Sequence, residues 1–137
     1  MNKRFETRQL PATVDAVAPD GSDVRLLLGL EAGGMAHFQL RPWATSVPVR
    51  HRTVAEIWYF VTGHGQMWRR QDQAETVEDV SAGTAVTIPV GTSFQFRSTS
   101  DEPLAAVGVT MPPWPGPGEA EILDEGRWPP TVAPGPA

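Results

Sequence analysis

The chain has 137 residues, with 16 acidic and 11 basic side chains and a net charge of −5. This length predicts one domain that can bury its own core. The net negative charge argues against nucleic acid as a partner, because phosphate binding depends on clustered Lys and Arg. Cysteine is absent, which excludes disulfides, thiolate metal ligands and cysteine nucleophiles.

The amino-terminal segment is polar and charged. Residues 1–10, MNKRFETRQL, are not followed by the apolar region of a secretory signal. No run approaches the roughly 20 apolar residues that cross a membrane. The sequence therefore predicts a cytoplasmic protein without a membrane partner. We expect residues 1–22 to form an N-terminal arm with an edge strand.

Short β-rich runs follow one another through the middle of the chain, and helical periodicity is nearly absent. Gly (13 residues) and Pro (14 residues) recur at short intervals, and turn sequences such as PDGSD, SAGT and PVGT separate the runs. The predicted strands cover residues 23–30, 35–40, 56–62, 65–70, 84–90, 93–98 and 104–111. Many short strands at regular spacing predict an all-β sandwich or barrel over residues 23–111.

Two connections between these strands have signatures of their own. Gly63-His64-Gly65 is typical of a tight hairpin turn between two paired strands, with His64 facing solvent. Residues 71–79, QDQAETVED, predict a polar connection that can include an edge strand.

The composition changes after Met111, where a proline-rich C-terminal arm and tail, residues 112–137, begins. Proline at this density prevents a regular β-ladder. We expect an ordered arm over 112–128, with Trp114 and Trp128 packed on the barrel or on a partner subunit. The composition of residues 129–137 predicts disorder.

Two spaced sets of residues carry a family resemblance. His51, Glu56 and Gly63 form the first set, and Gly83, Pro89 and Gly91 form the second. Their spacing resembles the cupin motifs G-x5-H-x-H-x3,4-E-x6-G and G-x5-P-x-G-x2-H-x3-N. The sequence departs from these motifs at four places, which are held by Trp43, Val49, Phe94 and Ser98. The resemblance covers about residues 23–111 and implies a cupin-type double-stranded β-helix, a jelly-roll barrel.

The departures bear on a metal cofactor. In the metal-binding cupins that the sequence resembles, one ion is held by the two His and the Glu of the first motif and by the His of the second. Val49 and Phe94 stand at two of these places and carry no lone pair. A firmly held metal needs three or more protein ligands, so we expect no metal cofactor unless His37 or Gln39 replaces a missing ligand. Strand alternation leaves open whether residues 35, 37 and 39 or residues 36, 38 and 40 face inward.

The same alternation predicts the lining of the barrel. If Glu56 points inward, Trp58 and Phe60 do so as well, and Phe94, Phe96 and Ser98 share the inner face of the other motif strand. The predicted site combines His51 and Glu56 as an acid–base pair with six ligand-binding residues: Trp58, Phe60, Phe94, Phe96, Gln39 and Ser98. Such a pocket suits a small hydrophobic or aromatic molecule, and a His–Glu pair can transfer a proton.

Three functions are compatible with this site. The first is a metal-independent isomerase, cyclase or lyase, a class that the cupin resemblance includes. The second is a binding protein that holds a small molecule without chemistry, and the third is a metal-dependent oxygenase with an atypical ligand set. The resemblance also implies a homodimer, since open sheet edges need to be covered. A purely structural interpretation stands beside each of these: the aromatic side chains fill the core, and His51 is a satisfied histidine of the barrel wall.

Overall fold

Eleven strands form the protein in the computed structural model, which describes residues 3–137. The strands are β1 (Ala16–Val17), β2 (Asp23–Leu30), β3 (Gly33–Leu40), β4 (Val49–His51), β5 (Ala55–Thr62), β6 (His64–Gln71), β7 (Ala74–Ser81), β8 (Ala85–Ile88), β9 (Ser93–Ser98), β10 (Leu104–Met111) and β11 (Ala120–Ile122). No residue in the described range is helical. Accordingly, this part of the chain contains no helix that could span a membrane.

The strands pair antiparallel in two sheets. The six-stranded sheet has the order β1-β2-β3-β10-β5-β8, and the five-stranded sheet has the order β11-β4-β9-β6-β7. Large apolar side chains from both sheets, including Trp58, Phe60, Phe96 and Leu104, form one buried core. The architecture confirms the predicted all-β jelly-roll barrel.

Strand alternation decides which side chains reach the interior. On β5, Glu56, Trp58 and Phe60 are buried, whereas Ile57 and Tyr59 are exposed. On β3, the core takes Ala36, Phe38 and Leu40. His37 and Gln39 therefore lie on the outer face of the six-stranded sheet, beside Arg25 of β2, whose guanidinium donates to Oε1 of Gln39 at 3.4 Å. The inward set left open by the sequence is thus residues 36, 38 and 40.

The hairpin predicted at Gly63-His64-Gly65 is wrong. β5 and β6 belong to different sheets, and Gly63 alone carries the chain from one to the other, with φ of 81°. A Cβ on Gly63 would lie 2.3 Å from the carbonyl oxygen of Pro103. Glycine permits both this φ and this close approach, and either requirement produces the same sequence signal as a hairpin turn. His64 is exposed, as expected.

The polar stretch after β6 does contain an edge strand. β7 pairs with β6 from His64↔Ser81 to Gln71↔Ala74 and has no second neighbour in its sheet. Near the N-terminus, β1 pairs with β2 at the edge of the six-stranded sheet, so residues 1–22 contain the expected edge strand.

The C-terminal tail contradicts the predicted disorder of residues 129–137. The Thr131 N–H donates to the Thr45 carbonyl at 3.0 Å, and the Gly135 N–H donates to the Ala18 carbonyl at 2.9 Å. Val132 packs against the core. The prediction failed because a proline-rich segment that cannot form a ladder still offers isolated N–H groups to unpaired carbonyls of the barrel.

The arm before the tail packs on the barrel of its own chain. The Arg97 guanidinium carbon lies over the Trp128 ring, 4.2 Å from the ring centroid. The main chain of Trp128 exchanges two hydrogen bonds with the Gln95 side chain. Trp114 contacts His51 at a ring-centroid distance of 4.9 Å. Of the two positions expected for these tryptophans, the structure shows the one on the barrel.

Candidate functional site

A cavity of about 590 Å³ opens between the two sheets and beneath the C-terminal arm. Its wall is mostly apolar and is built from β1, β2, β3, β4, β5, β9 and β10, together with the turn before β2 and the two terminal arms. The buried polar residues of the wall are Asp20, His51, Glu56 and Thr110. A concave apolar site with few polar groups has the usual form of a small-molecule pocket.

His51 and Glu56 lie side by side in this wall. His51 ends β4 and Glu56 lies near the start of β5, so three residues of loop bring them together. Nδ1 of His51 is 3.0 Å from Oε2 of Glu56, although the N–H direction is not aligned for a regular hydrogen bond. Oε1 of Glu56 accepts a hydrogen bond from the Trp58 indole at 3.1 Å. The carboxylate is therefore held between an imidazole and an indole, and both members of the pair are buried.

Aromatic rings surround the pair. Phe94 meets His51 edge-on at 5.2 Å and Trp58 at 5.8 Å between centroids. Trp58 also stacks on Phe38 at 5.0 Å, with 20° between the ring planes. This stack lies over Gly108 of β10, where a Cβ would come within 2.8 Å of both rings. The pocket shape thus depends on a position without a side chain.

The C-terminal arm fastens the loop between the paired residues. The Glu119 carboxylate accepts hydrogen bonds from the Thr53 N–H at 2.7 Å, the Thr53 hydroxyl at 2.5 Å and the Val54 N–H at 3.1 Å. The Arg52 N–H donates to the Glu119 carbonyl at 3.0 Å. Burial acts to raise the pKa of the Glu119 carboxyl, but these hydrogen bonds outweigh it and lower the pKa. The charged form of Glu119 thus positions the His51–Glu56 loop.

The residues present do not fit the metal centre that the motifs imply. Val49 and Phe94 are register partners on β4 and β9, and their hydrocarbon side chains line the cavity beside His51. His37 and Gln39 face away from the cavity and cannot replace the missing ligands. Burial and the neighbouring Arg25 also lower the pKa of His37. Among residues 3–137, no three His, Asp or Glu side chains are grouped as a metal would require.

The structure brings together half of the predicted site residues. His51, Glu56, Trp58 and Phe94 line the cavity. Phe60 and Phe96 point inward as predicted but lie deeper, packed against Trp58 in the core. Ser98 is buried and donates to the carbonyls of Ser100 and Glu102, away from the cavity. Gln39, on the outer face, does not reach it. Strand alternation therefore predicted correctly which side chains of β5 and β9 face inward, but it did not predict which of them reach the cavity and which pack in the core below it.

Sequence reasoning missed Asp20. This residue belongs to the turn PDGSD before β2, whose sequence indicates only a turn, yet Asp20 lies in the cavity wall and is 5% exposed. Burial raises the pKa of Asp20, against the lowering effect of hydrogen bonds from Ser22. The proximity of a buried carboxyl to His51 and Glu56 depends on how the turn folds over the barrel, and no local pattern encodes that.

Comparison with known proteins shows which solved structures share this architecture. Three solved structures share the fold: oxalate decarboxylase from Bacillus subtilis (16% identity, TM-score 0.66, covering 80% of this chain and 29% of that one), oxalate decarboxylase from Lactobacillus farciminis in a formate complex (18%, 0.68, 80% and 33%) and a CENP-C domain from Drosophila melanogaster (12%, 0.62, 71% and 72%). The chain thus spans about a third of the length of the decarboxylases that it resembles.

At these identities the shared feature is the fold. No curated protein matches the sequence. The family model described as a cupin domain matches residues 36–110, more than half of the chain and including the positions from His51 to Phe94 that were compared with the motifs. The chain belongs to the cupin family.

Proposed function

We propose that this cupin binds a small, largely hydrophobic or aromatic organic molecule in its cavity and that the His51–Glu56 pair transfers a proton to or from it. The observation that carries the proposal is the burial of His51 and Glu56 side by side, 3.0 Å apart, in the wall of an apolar cavity of about 590 Å³. Proton transfer of this kind belongs to the metal-independent forms of isomerase, cyclase or lyase chemistry.

The chemistry follows from the surroundings of each atom. Nε2 of His51 has no hydrogen-bond partner among residues 3–137 and is not fully enclosed by protein atoms, and because His51 lines the cavity this nitrogen can meet a ligand there. The Glu56 carboxylate lies 3.0 Å from Nδ1, where its negative charge stabilises the imidazolium that forms when Nε2 takes a proton. Phe94 and Trp114 flank the imidazole and limit its movement.

The experiment measures proton transfer without knowledge of the product. A library of neutral aromatic and alicyclic carbonyl compounds is screened by equilibrium dialysis, and the compounds that bind are incubated with the protein in D₂O. Deuterium entering a C–H position, followed by NMR, is expected with the unchanged protein. His51→Ala should slow it by about 10²–10⁴-fold, as for the loss of a general acid or base. The matched control is His64→Ala, because His64 is exposed at the start of β6.

The same experiment also tests the alternative function, a protein that binds a small molecule without catalysis. Binding that weakens in His51→Ala, with no deuterium entering any bound compound, would assign the cavity to a binding protein without catalysis. Failure of every compound to bind would refute the proposal as a whole.

We also propose that the protein forms a homodimer through the outer face of the six-stranded sheet. Met35, Ile57 and Tyr59 are 41%, 48% and 52% exposed on this face. Val109 of β10 lies in register between Met35 and Ile57, so an apolar row crosses three strands. The outward positions of β3, β10 and β5 carry no Asp, Glu, Lys or Arg. A twofold pairing would bury this face without opposing like charges.

A further inference from the structure

Asp20 is a buried carboxyl group in the cavity wall that the proton-transfer pair does not use. The turn that carries it is held by its main chain and by its neighbours. The Val47 N–H donates to the Asp20 carbonyl at 2.8 Å, and Gly21, with φ of 86°, leaves no room for a Cβ against Val132 of the C-terminal tail. The position of the carboxyl group is therefore fixed by the fold.

The two oxygens of this carboxyl group have different surroundings. Oδ1 accepts hydrogen bonds from the Ser22 N–H at 2.9 Å and from the Ser22 hydroxyl at 2.6 Å. Oδ2 has no hydrogen-bond partner among the described residues and is not fully enclosed by protein atoms. Since the residue is 5% exposed and lines the cavity, Oδ2 is open to the cavity. A nearly buried polar atom without a partner is costly, so this position favours a ligand group.

The charges around Asp20 determine what Oδ2 offers. Burial raises the pKa of Asp20, Ser22 lowers it, the Glu56 carboxylate raises it, and His51 lowers it when charged. Arg8 also lines the cavity and stays charged throughout. Because Ser22 already supplies two donors to Oδ1, a bound proton resides on Oδ2. The carboxyl group thus presents an acceptor above its pKa and an O–H donor below it.

We infer that Oδ2 of Asp20 is a second polar anchor for the ligand, which therefore carries two polar groups on one hydrophobic body. One group meets the His51–Glu56 pair, and the other is a hydroxyl or an amine that donates to Asp20. The inference rests on the proposed function, because it concerns the ligand of the same cavity.

The test uses dihydroxynaphthalene isomers, each paired with its monomethyl ether, so that several spacings between the two polar groups are sampled. Dissociation constants are measured by equilibrium dialysis at about pH 8. At least one diol is expected to bind about tenfold more tightly than its ether, because the ether keeps a single hydroxyl and cannot donate to Oδ2 and to the His51–Glu56 pair at the same time. In Asp20→Asn the amide oxygen keeps the two Ser22 donors, and Nδ2 takes the position of Oδ2. The preference for the diol should therefore disappear or reverse.

A pH series provides a measurement that requires no variant. The diol preference of the unchanged protein should fall as the pH decreases through the raised pKa of Asp20, since the protonated group donates instead of accepting. Any pH dependence that persists in Asp20→Asn comes from His51 or Glu56, so the difference between the two proteins isolates Asp20. If Asp20→Asn does not fold, a diol preference that stays constant over the whole pH range in which the unchanged protein remains folded would overturn the inference.

The remaining outcomes separate this inference from the proposed function. An unchanged diol preference in Asp20→Asn, with binding weakened by His51→Ala, would overturn the role of Asp20 and leave the proposed function intact. Failure of every diol and ether to bind would overturn this inference, and the carbonyl library would then decide the proposed function separately.

Discussion

The stack of Phe38 on Trp58 over Gly108 leads to a quantitative prediction. Gly108→Ala places a Cβ 2.7 Å from Cδ1 of Trp58 and 2.8 Å from Cε2 of Phe38, where ordinary contacts begin near 3.4 Å. The backbone at this position lies outside the left-handed region, so an alanine is strained only by these overlaps. Both rings belong to the buried core and also line the cavity, but their stacking and the hydrogen bond from the Trp58 indole to Glu56 at 3.1 Å restrain them, so a shift toward the cavity is costly.

Overpacking of this kind costs about 1–3 kcal/mol. Replacing glycine by alanine also favours folding by about 0.4–1 kcal/mol, because it lowers the conformational entropy of the unfolded chain. The expected net loss for Gly108→Ala is therefore about 1–2 kcal/mol. Urea unfolding followed by tryptophan fluorescence measures it, and the midpoint should fall by about 0.5–1 M for a typical slope of unfolding.

Gly34→Ala is the matched control. Gly34 also belongs to the six-stranded sheet and lines the cavity, but the nearest atom to its Cβ would be the Thr110 hydroxyl at 3.7 Å. This variant should be neutral or slightly more stable than the unchanged protein. Equal stability of Gly108→Ala and Gly34→Ala would show that the rings are not confined as described, and the reasoning on pocket shape would be refuted.

Three further predictions concern the turn at Trp43, the C-terminal arm and the outer sheet face. Trp43 has φ of 63° at the place of a motif glycine, so Trp43→Gly should be about 1 kcal/mol more stable than Trp43→Ala in urea unfolding; equal stabilities would contradict a strained backbone. Glu119→Gln should lower the free energy of unfolding by about 2 kcal/mol at neutral pH. The folded-state pKa of Glu119 is lowered, so its contribution to the free energy of unfolding is complete above its usual pKa of 4.5 and is lost as the pH falls through the lowered value. The free energies of unfolding of the two proteins should therefore become equal in acid. A difference independent of pH would exclude this role. Ile57→Lys should weaken the proposed homodimer more than about tenfold by sedimentation, whereas Val77→Lys, on the other sheet, should leave it unchanged; a monomeric unchanged protein would reject the interface.

Strand periodicity predicted most of the fold. The predicted runs 23–30, 93–98 and 104–111 coincide with β2, β9 and β10, because each is rich in β-forming residues and is bounded by turn residues. The failures occurred where one signal has two structural causes. Gly63 satisfies a crossover between sheets as well as a hairpin, and a proline-rich tail packs through single hydrogen bonds that leave no periodic trace.

The candidate site was predicted less completely than the fold. His51, Glu56, Trp58 and Phe94 were accessible to sequence reasoning, since motif spacing and alternation both indicate the inner wall. Asp20 and the clamp of Glu119 were not, because each comes from a segment distant in the sequence that folds over the barrel mouth. Gln39 was misplaced because alternation predicts two faces without indicating which one is buried.

The open edge of β7 bears on how the protein behaves at high concentration. Its eight residues present unpaired N–H and carbonyl groups along one side, which is the template on which β-aggregates grow. Glu75, Glu78 and Asp79 lie along this strand, and the same charges on an approaching copy would repel it. Glu75 and Glu78 are also held by the Trp68 indole and the Arg69 guanidinium of β6. These carboxylates act as gatekeepers against fibre formation, and replacing them with neutral side chains would remove that protection from an edge that the fold leaves open.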